Sequence, residues 1–195
     1  GFRETAWWEQ TRRAIVDNVH RSLEALAEAN GEWIPSFFEI PFGLQGQPTL
    51  VVETEEDSLR LRGVIDRVDL TSDGMVRVID YKTGGKSAFT KKAVADGKKL
   101  QLPLYALAAR DALGLGEPTE GFYWHVQHAE RSGFTLSRFD GGPTGAIKVA
   151  VDKAWEAVRG ARSGHFVPRP PQGGCPTYCP AMVFCWRYLP GYGGQ

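Results

Sequence analysis

This chain has no net charge, because its 23 lysines and arginines balance its 23 aspartates and glutamates. That balance argues against a protein that coats nucleic acid through a uniformly basic surface. The sequence also lacks any apolar run near the ~18 residues that a membrane-spanning helix needs, and no signal peptide opens it. We therefore expect a cytoplasmic protein that has no membrane contact.

Cysteine is scarce and confined to one place near the C-terminus. The three cysteines, Cys175, Cys179 and Cys185, lie within eleven residues of one another. An odd number of cysteines in a chain without a secretion signal fits poorly with a disulfide framework. The spacing C-x3-C-x5-C instead predicts the ligation of a metal ion or a metal cluster.

An initiator methionine is also missing, which predicts that these 195 residues are a piece of a longer protein. Hydrophobic periodicity and turn residues predict an α/β domain around a mixed sheet. The predicted helices cover residues 7–30, 98–113 and 144–159. The predicted strands cover residues 36–44, 50–53, 63–70, 76–84, 121–128 and 133–139. We assign residues 1–165 to this domain and residues 166–195 to a cysteine-rich tail.

The most informative part of the sequence is a predicted hairpin with acidic residues in its strands. The segments GVIDRVDL and VRVIDYKTG are separated by the turn-forming residues TSDG. Asp66 and Asp80 stand in these strands where an apolar side chain is usual. Since residues i and i+2 of a strand point to the same face, Asp80 and Lys82 should project together.

Two carboxylates and a lysine on neighbouring strands are the side chains that metal-dependent phosphodiester hydrolysis requires. The carboxylates hold Mg²⁺ or Mn²⁺, and the lysine orients or deprotonates a water or stabilises charge in the transition state. The structural alternative is that Asp66 and Asp80 form salt bridges with Arg67 and Lys82. Asp69 is out of phase with Asp66, so we expect it on the opposite face, paired with Arg67.

A group of lysines follows the second acid of the hairpin directly. Its position predicts a positively charged surface beside the acids, where a phosphate backbone would lie. The alternative is an ordinary solvated loop. The group consists of Lys82, Lys86, Lys91, Lys92, Lys98 and Lys99.

Three motifs of this chain together resemble the RecB-like branch of the PD-(D/E)XK nucleases. They are GVIDRVD at residues 63–69, DYKTG at residues 80–84, and Gln101 followed by Tyr105 in the order Q-x-x-x-Y. The family pattern has the same elements in the same order. The resemblance implies a restriction-endonuclease-like fold, a mixed central sheet flanked by helices.

The resemblance also implies roles for individual residues. Asp66 and Asp80 are metal ligands in this interpretation, with the backbone carbonyl of Tyr81 and the Glu39 carboxylate as further candidates. Lys82 is the catalytic lysine. Gln101 and Tyr105, one helical turn apart, face the site and contact the scissile region.

By the same resemblance, the cysteine tail holds a [4Fe–4S] cluster, as in several RecB-like nucleases. A zinc ion held by the three cysteines and a histidine such as His165 is the second interpretation, and three free thiols are the third. The family's upstream cysteine and its early histidine are both absent here. We take both absences to predict an N-terminal portion that is missing, disordered or supplied by another part of a larger protein.

The leading functional hypothesis is a DNA nuclease, an exonuclease on single-stranded ends, that works with a helicase domain or subunit. The preference for DNA and for ends comes from the resemblance alone. The alternative is a catalytically silent, nuclease-like DNA-binding module of a repair complex. A third interpretation, a structural metalloprotein without a DNA role, leaves the paired acids and the lysines unexplained.

Overall fold

The structure of the protein is a computed structural model that describes residues 5–84, 89–168, 170, 174–187 and 190–192. The chain divides into two compact units, residues 1–155 and residues 156–195. Within the described residues, no helix is both long enough and apolar enough to cross a bilayer.

The described residues contain four α-helices and two short helical segments of other types. A π-helical segment, Ala108–Ala112, continues α3, and a 3-10 turn covers Leu136–Arg138. The α-helices are α1 (Ala6–Ala29), α2 (Lys91–Ala95), α3 (Gln101–Leu107) and α4 (Gly142–Arg162). The Thr5 side chain caps the first helix by accepting a hydrogen bond from the Trp8 amide at 3.1 Å.

Nine strands in the described residues form three sheets. They are β1 (Ile34–Phe42), β2 (Leu50–Glu53), β3 (Ser58–Leu61), β4 (Gly63–Leu70), β5 (Met75–Lys82), β6 (Glu117–His125), β7 (Glu130–Arg131), β8 (Cys175–Pro176) and β9 (Pro190–Tyr192). The main sheet has the order β1-β4-β5-β6-β7. Its strands are antiparallel except for the parallel pair β5–β6. This architecture confirms the predicted α/β fold around a mixed sheet.

The two faces of the main sheet bury different helices. On one face the central strands pack with α3 and the first part of α4 in the larger core, which includes Val76, Val78, Leu102, Ala106 and Ile147. On the other face Leu26 of α1 packs with Ile79, Phe122 and Trp124. Because β5 contributes alternate residues to the two cores, its side chains are committed to one face or the other.

The predicted hairpin of β4 and β5 is confirmed, with the predicted turn at its end. The Gly74 amide donates a hydrogen bond to the Thr71 carbonyl at 3.1 Å, and Gly74 has a φ of +83°. A positive φ favours glycine, so this turn fixes the antiparallel register of the two strands.

Three sequence predictions need correction. Strand β3 falls in a segment that we did not predict to be a strand, directly after the acidic turn. The helix predicted from Lys98 begins at Gln101 instead, because the amides of Lys98 and Lys99 both donate to the Ala93 carbonyl and close the end of α2. The strand predicted at residues 133–139 is a 3-10 turn and its flanks, and β7 lies earlier in the chain.

The segment between β5 and α3 contains the short helix α2. Residues 85–88, which include Lys86, lie outside the described residues. The second unit contains the end of α4 and the small parallel sheet of β8 and β9. Our division of the chain at residue 165 stays a prediction.

Candidate active site

Asp66 and Asp80 lie where the ladder between β4 and β5 stops. The last paired residues of that ladder are Arg67 and Ile79, and the next step in the same register brings Asp66 opposite Asp80. Beyond the ladder, the Tyr81 amide donates to Asp66 Oδ2 at 2.8 Å. The Asp66 carboxylate thus reaches the neighbouring strand at the position directly after Asp80.

Glu39 lies in line with these two acids across the sheet, on β1, the strand at the other side of Asp66. We call Glu39, Asp66 and Asp80 the acid row. Phe38 pairs with Arg67 and Ile40 with Ile65, so Glu39 stands opposite Asp66. Its φ is +49°, a left-handed value that costs a non-glycine residue roughly 1–2 kcal/mol. Backbone strain of this kind occurs preferentially at functional sites.

Asp80 is the most deeply buried acid of the row, with only 1% of its surface exposed. Its Oδ2 atom contacts the Lys82 ammonium as an ion pair, and the described residues offer it no partner with hydrogen-bond geometry. Burial and the nearby Asp66 charge raise the pKa of Asp80, and the Lys82 contact opposes that rise. A cation beside Asp80 would stabilise its ionised form.

A chain of hydrogen bonds connects Lys82 to α3. Lys82 Nζ donates to Gln101 Oε1 at 3.1 Å, and Gln101 Nε2 donates to the Tyr105 hydroxyl at 3.0 Å. Burial raises the pKa of Tyr105, and the charges of Asp80, Asp66 and Glu39 raise it further, whereas the Gln101 hydrogen bond lowers it. Tyr105 therefore shares one electrostatic environment with all three acids.

Tyr123 of β6 extends the row beyond Asp80, to which it is the direct partner in the parallel ladder. Its ring lies 4.7 Å from Lys82 Nζ and 5.6 Å from Lys99 Nζ, measured to the ring centroid. Burial raises the pKa of the Tyr123 hydroxyl, and the Asp80 charge adds to this effect. Sequence analysis missed Tyr123, because only the register of a parallel pair identifies the partner of Asp80.

The other described lysines of the predicted basic group have acidic partners of their own. Lys92 and Lys98 pair with Asp96, at 2.9 Å and 3.3 Å. Lys91 pairs with Asp140. The structure thus distinguishes Lys82 and Lys99, which lie against the Tyr123 ring, from Lys91, Lys92 and Lys98, which pair with Asp96 or Asp140.

The opposite face of the same hairpin carries a second buried acid, Asp69. It accepts hydrogen bonds from Arg67 Nε at 2.5 Å and from Arg77 Nε at 2.9 Å. The side-chain oxygen of Asn30 accepts from both guanidinium groups at 3.0 Å. The predicted pairing of Asp69 with Arg67 is confirmed, and Arg67 is therefore not the partner of Asp66.

The structure does not gather the predicted cysteine ligands into a metal site. Cys175 is buried, Cys179 and Cys185 are half-buried, and none of them forms a disulfide. Over the described ranges, no group of three or more His, Cys, Asp or Glu side chains is arranged to hold a metal ion. The described residues therefore do not show the predicted [4Fe–4S] cluster or the zinc site with His165.

The three acids of the row also do not form a complete metal site among the described residues. Asp66 and Asp80 lie on adjacent strands, but the described residues do not place Glu39 with them in a preformed three-carboxylate centre. Of the predicted site residues, the structure brings together Asp66, Tyr81, Asp80, Lys82, Gln101 and Tyr105.

Comparison with known proteins gives relatives that are mostly much longer than this chain. The chain is 41% identical over 81 residues to an ATP-dependent helicase/deoxyribonuclease subunit of Alkaliphilus metalliredigens, covering 38% of this chain and 7% of that protein. It is 36% identical over 118 residues to the protein of the same name from Moorella thermoacetica, covering 56% and 10%. The chain thus spans a tenth or less of these two relatives.

A shorter relative aligns over most of the chain. It is the Gene 69 protein of Mycobacterium phage D29, which is 28% identical over 179 residues, covering 86% of this chain and 62% of that protein. A family profile described as the PD-(D/E)XK nuclease superfamily matches residues 2–186. That match extends over nearly the whole chain and includes the acid row, Lys82 and α3. The chain belongs to the PD-(D/E)XK nuclease superfamily.

Proposed function

We propose that this chain is a metal-dependent nuclease that hydrolyses phosphodiester bonds of DNA, acting as an exonuclease on single-stranded ends. The observation that carries the proposal is that the Asp80 carboxylate is buried without a full set of hydrogen-bond partners among the described residues. Its buried Oδ2 atom lies beside Asp66 and has an ion-pair contact with Lys82, but among the described residues it has no partner of full hydrogen-bond geometry. An acid that serves only the fold is ordinarily saturated with donors, so a deficit at this position supports a role in binding a cation.

The chemistry of the acids fits Mg²⁺ or Mn²⁺. Mg²⁺ is usually held by one or two carboxylates together with water and substrate phosphate oxygens. Asp66 and Asp80 supply two carboxylates, and the Tyr81 carbonyl and Glu39 are further candidate oxygen ligands. When bound, such an ion lowers the pKa of a water and neutralises charge on the phosphate.

Lys82 contributes a positive charge that the fold orients from two sides. Asp80 contacts its ammonium group and Gln101 accepts a hydrogen bond from it. In this position Lys82 can orient the attacking water and stabilise the negative charge that develops on the phosphate oxygens. In the reaction the water oxygen forms the new bond to phosphorus, the bond to the leaving oxygen breaks, and that oxygen ends as a protonated hydroxyl.

Gln101 and Tyr105 act through Lys82 in this proposal. Gln101 binds the Lys82 ammonium with its carbonyl oxygen and the Tyr105 hydroxyl with its amide group. This hydrogen-bond chain restricts the rotamers of a long and flexible side chain. Restricting them before substrate binds lowers the entropy that must be lost in the transition state.

The choice of DNA, of ends and of a helicase partner rests on the relatives and on the family resemblance. Two relatives are named as helicase/deoxyribonuclease subunits. We propose by analogy that this domain receives a DNA strand from a helicase domain or subunit in the cytoplasm. A [4Fe–4S] cluster forms no part of the proposal, because the described cysteines are not arranged as its ligands.

The test is cleavage of an end-labelled single-stranded oligonucleotide with Mg²⁺, with Mn²⁺ and with EDTA. The variants are Asp80→Ala and Lys82→Ala, and the matched controls are Asp152→Ala and Lys148→Ala. The controls remove the same residue types from an exposed ion pair of α4, whose atoms are 3.0 Å apart. We expect metal-dependent cleavage that both site variants abolish and both controls retain.

A circular single strand of the same composition tests the preference for ends. An exonuclease degrades the linear strand and leaves the circle intact, whereas an endonuclease cuts both. Binding of the oligonucleotide without cleavage by the wild type would overturn the proposal in favour of a silent DNA-binding module. Cleavage that persists in Asp80→Ala would show that the acid row is not the active site.

A further inference from the structure

We propose that Lys99 is a second substrate-contacting lysine of this site, whose ammonium group binds a non-bridging oxygen of the DNA phosphate next to Lys82. The inference rests on the proposed function, since it assigns the same site a further residue. The sequence places Lys99 only in a group of six lysines predicted to face a phosphate backbone, and neither the family motifs nor the comparisons assign it a role of its own. Its position against one buried ring and beside the acids leads to the proposal.

The first observation is that two lysines from different segments meet at Tyr123. Lys82 Nζ lies 4.7 Å and Lys99 Nζ 5.6 Å from the centroid of its ring. Both distances are within the range of a cation–π contact. The ring itself is fixed, because Tyr123 is buried, pairs with Asp80 in the ladder and packs at 5.2 Å against the ring of Phe89.

The second observation is that the backbone holds Lys99 in place. Its amide donates to the Ala93 carbonyl at 3.1 Å, and the Lys98 amide donates to the same oxygen at 2.9 Å. Gln101, two residues later, is the first residue of α3. Lys99 is therefore anchored between two helices on the approach to the acid row.

The third observation separates Lys99 from its neighbour. Lys98 is exposed and pairs with Asp96 at 3.3 Å. Lys99 is half-buried, and its charge lowers the pKa of Asp80, which places it within electrostatic range of the site. Two adjacent residues of the same type thus lie in different surroundings.

The charges of the row explain why a second lysine is needed. The divalent ion of the proposed function balances two of the up to four negative charges that Glu39, Asp66, Asp80 and a phosphodiester bring together. Lys82 offsets one of them and is already engaged with Asp80. A second ammonium group beside it reduces the repulsion that the approaching phosphate meets, and it supplies a phosphate contact whose strength depends on salt.

The experiment compares Lys99→Met with Lys98→Met in the full chain. Methionine keeps an unbranched apolar side chain of similar length and removes the charge. The probe is a fluorescein-labelled single-stranded oligonucleotide, and its affinity is measured by anisotropy with Ca²⁺ in place of Mg²⁺, over a range of salt concentrations. Thermal unfolding of each variant verifies that the fold is intact, and Lys99→Arg tests for rescue by another cation.

We expect Lys99→Met to weaken binding several-fold and to reduce the slope of log affinity against log salt by about 0.7, the value for one phosphate contact on a single strand. Lys98→Met should bind as the wild type does, and Lys99→Arg should recover most of the affinity. With Mg²⁺, the KM for cleavage should rise in Lys99→Met more than kcat falls.

Two outcomes separate this inference from the proposed function. If the wild type cleaves, Asp80→Ala does not, and Lys99→Met matches Lys98→Met in affinity and salt slope, the nuclease stands and the role of Lys99 is wrong. If no protein cleaves but Lys99→Met alone loses affinity, the phosphate contact stands and the nuclease is wrong. Absence of binding by the wild type overturns the inference.

Discussion

The two faces of the hairpin formed by β4 and β5 each bury a carboxylate, and the two differ in how they are satisfied. Asp69 is 0% exposed and accepts four hydrogen bonds from the guanidinium groups of Arg67 and Arg77. Asp80 is 1% exposed, and within the described part of the chain its Oδ2 atom has an ion-pair contact with Lys82 but no hydrogen bond. The two acids are about equally buried, but they differ in the number of hydrogen bonds that their carboxylates accept.

This difference shows that burial alone does not distinguish an acid that stabilises the fold from one that serves a reaction. Asp69 holds together two arginines and, through them, Asn30 at the end of α1. Asp80 has another acid nearby, and burial together with the Asp66 charge raises its pKa. A protein retains such a destabilised group where function requires it.

The largest effect that we expect is on cleavage, in the variant Asp80→Asn. Removing the Asp80 charge should lower the cleavage rate on the order of 10³-fold, because the metal ion that neutralises charge at the phosphate loses one of its carboxylate ligands. The free energy of unfolding should stay the same or rise at neutral pH, since the ionised Asp80 is poorly solvated. Metal-dependent cleavage and urea unfolding are the two measurements.

The control is Asp152→Asn on α4, which removes an exposed acid and should change neither property. A large loss of stability in Asp80→Asn with cleavage retained would mean that Asp80 is a structural acid like Asp69. The difference between the two faces would then disappear.

The reverse pattern is expected for Asp69→Asn. This change leaves two buried arginines without a counter-charge, which costs about 3–5 kcal/mol in the free energy of unfolding. Cleavage per folded molecule should remain close to that of the wild type, because Asp69 faces away from the acid row. Urea unfolding gives the stability, and cleavage rates normalised to the folded fraction give the activity.

Unchanged stability in Asp69→Asn would contradict the assignment of this network to the fold. A loss of cleavage that persists after normalisation would show that the two faces are coupled. Asp73→Asn, in the hairpin turn between the two strands, is a suitable control because Asp73 is exposed.

A smaller effect is expected from Gln101→Ala, which frees Lys82 on one side. Cleavage should fall roughly tenfold to a hundredfold, because the lysine loses a partner that positions it. The effect should appear in kcat more than in KM. Gln10→Ala on the exposed surface of α1 is the matched control, and equal rates in the two variants would remove Gln101 from the site.

The smallest effect is a pH dependence of stability, measured in EDTA. Because the folded-state pKa of Asp80 lies above its ordinary 3.8, ionisation of Asp80 costs stability at neutral pH. As pH falls through the raised pKa toward 3.8, that cost disappears, so the wild type should gain stability relative to Asp80→Asn. A stability difference between the two that does not change with pH would contradict the raised pKa.

Much of this comparison could be predicted from the alternation of residues along two strands. The step of three from Asp66 to Asp69 places the two acids on opposite faces, and the step of two from Asp80 to Lys82 places those side chains together. The pairing of Asp69 with Arg67 follows from the same alternation. The second partner of Asp69, Arg77, could not be predicted in this way, because it lies on the neighbouring strand. Its position opposite Asp69 depends on the register of the folded hairpin.

Other elements could not be predicted from local pattern. Strand β3 is a short partner of β2, and a segment of four residues carries too little periodicity to identify it. The strand predicted at residues 133–139 has strand-like composition, but the hydrogen bonds of a 3-10 turn replace the ladder there. The cysteine spacing resembles that of a cluster, yet spacing does not require the thiol groups to converge.

The sequence by itself determined the α/β class, the hairpin and the triplet Asp66, Asp80 and Lys82, because alternation within a strand is a local property. Only the tertiary structure decided what surrounds them. The parallel pairing of β5 with β6 places Tyr123 beside Asp80, and the packing of α3 brings Gln101 to Lys82. These contacts join residues 19 to 43 positions apart, and such distances close only when the whole sheet and its helices bury a common core.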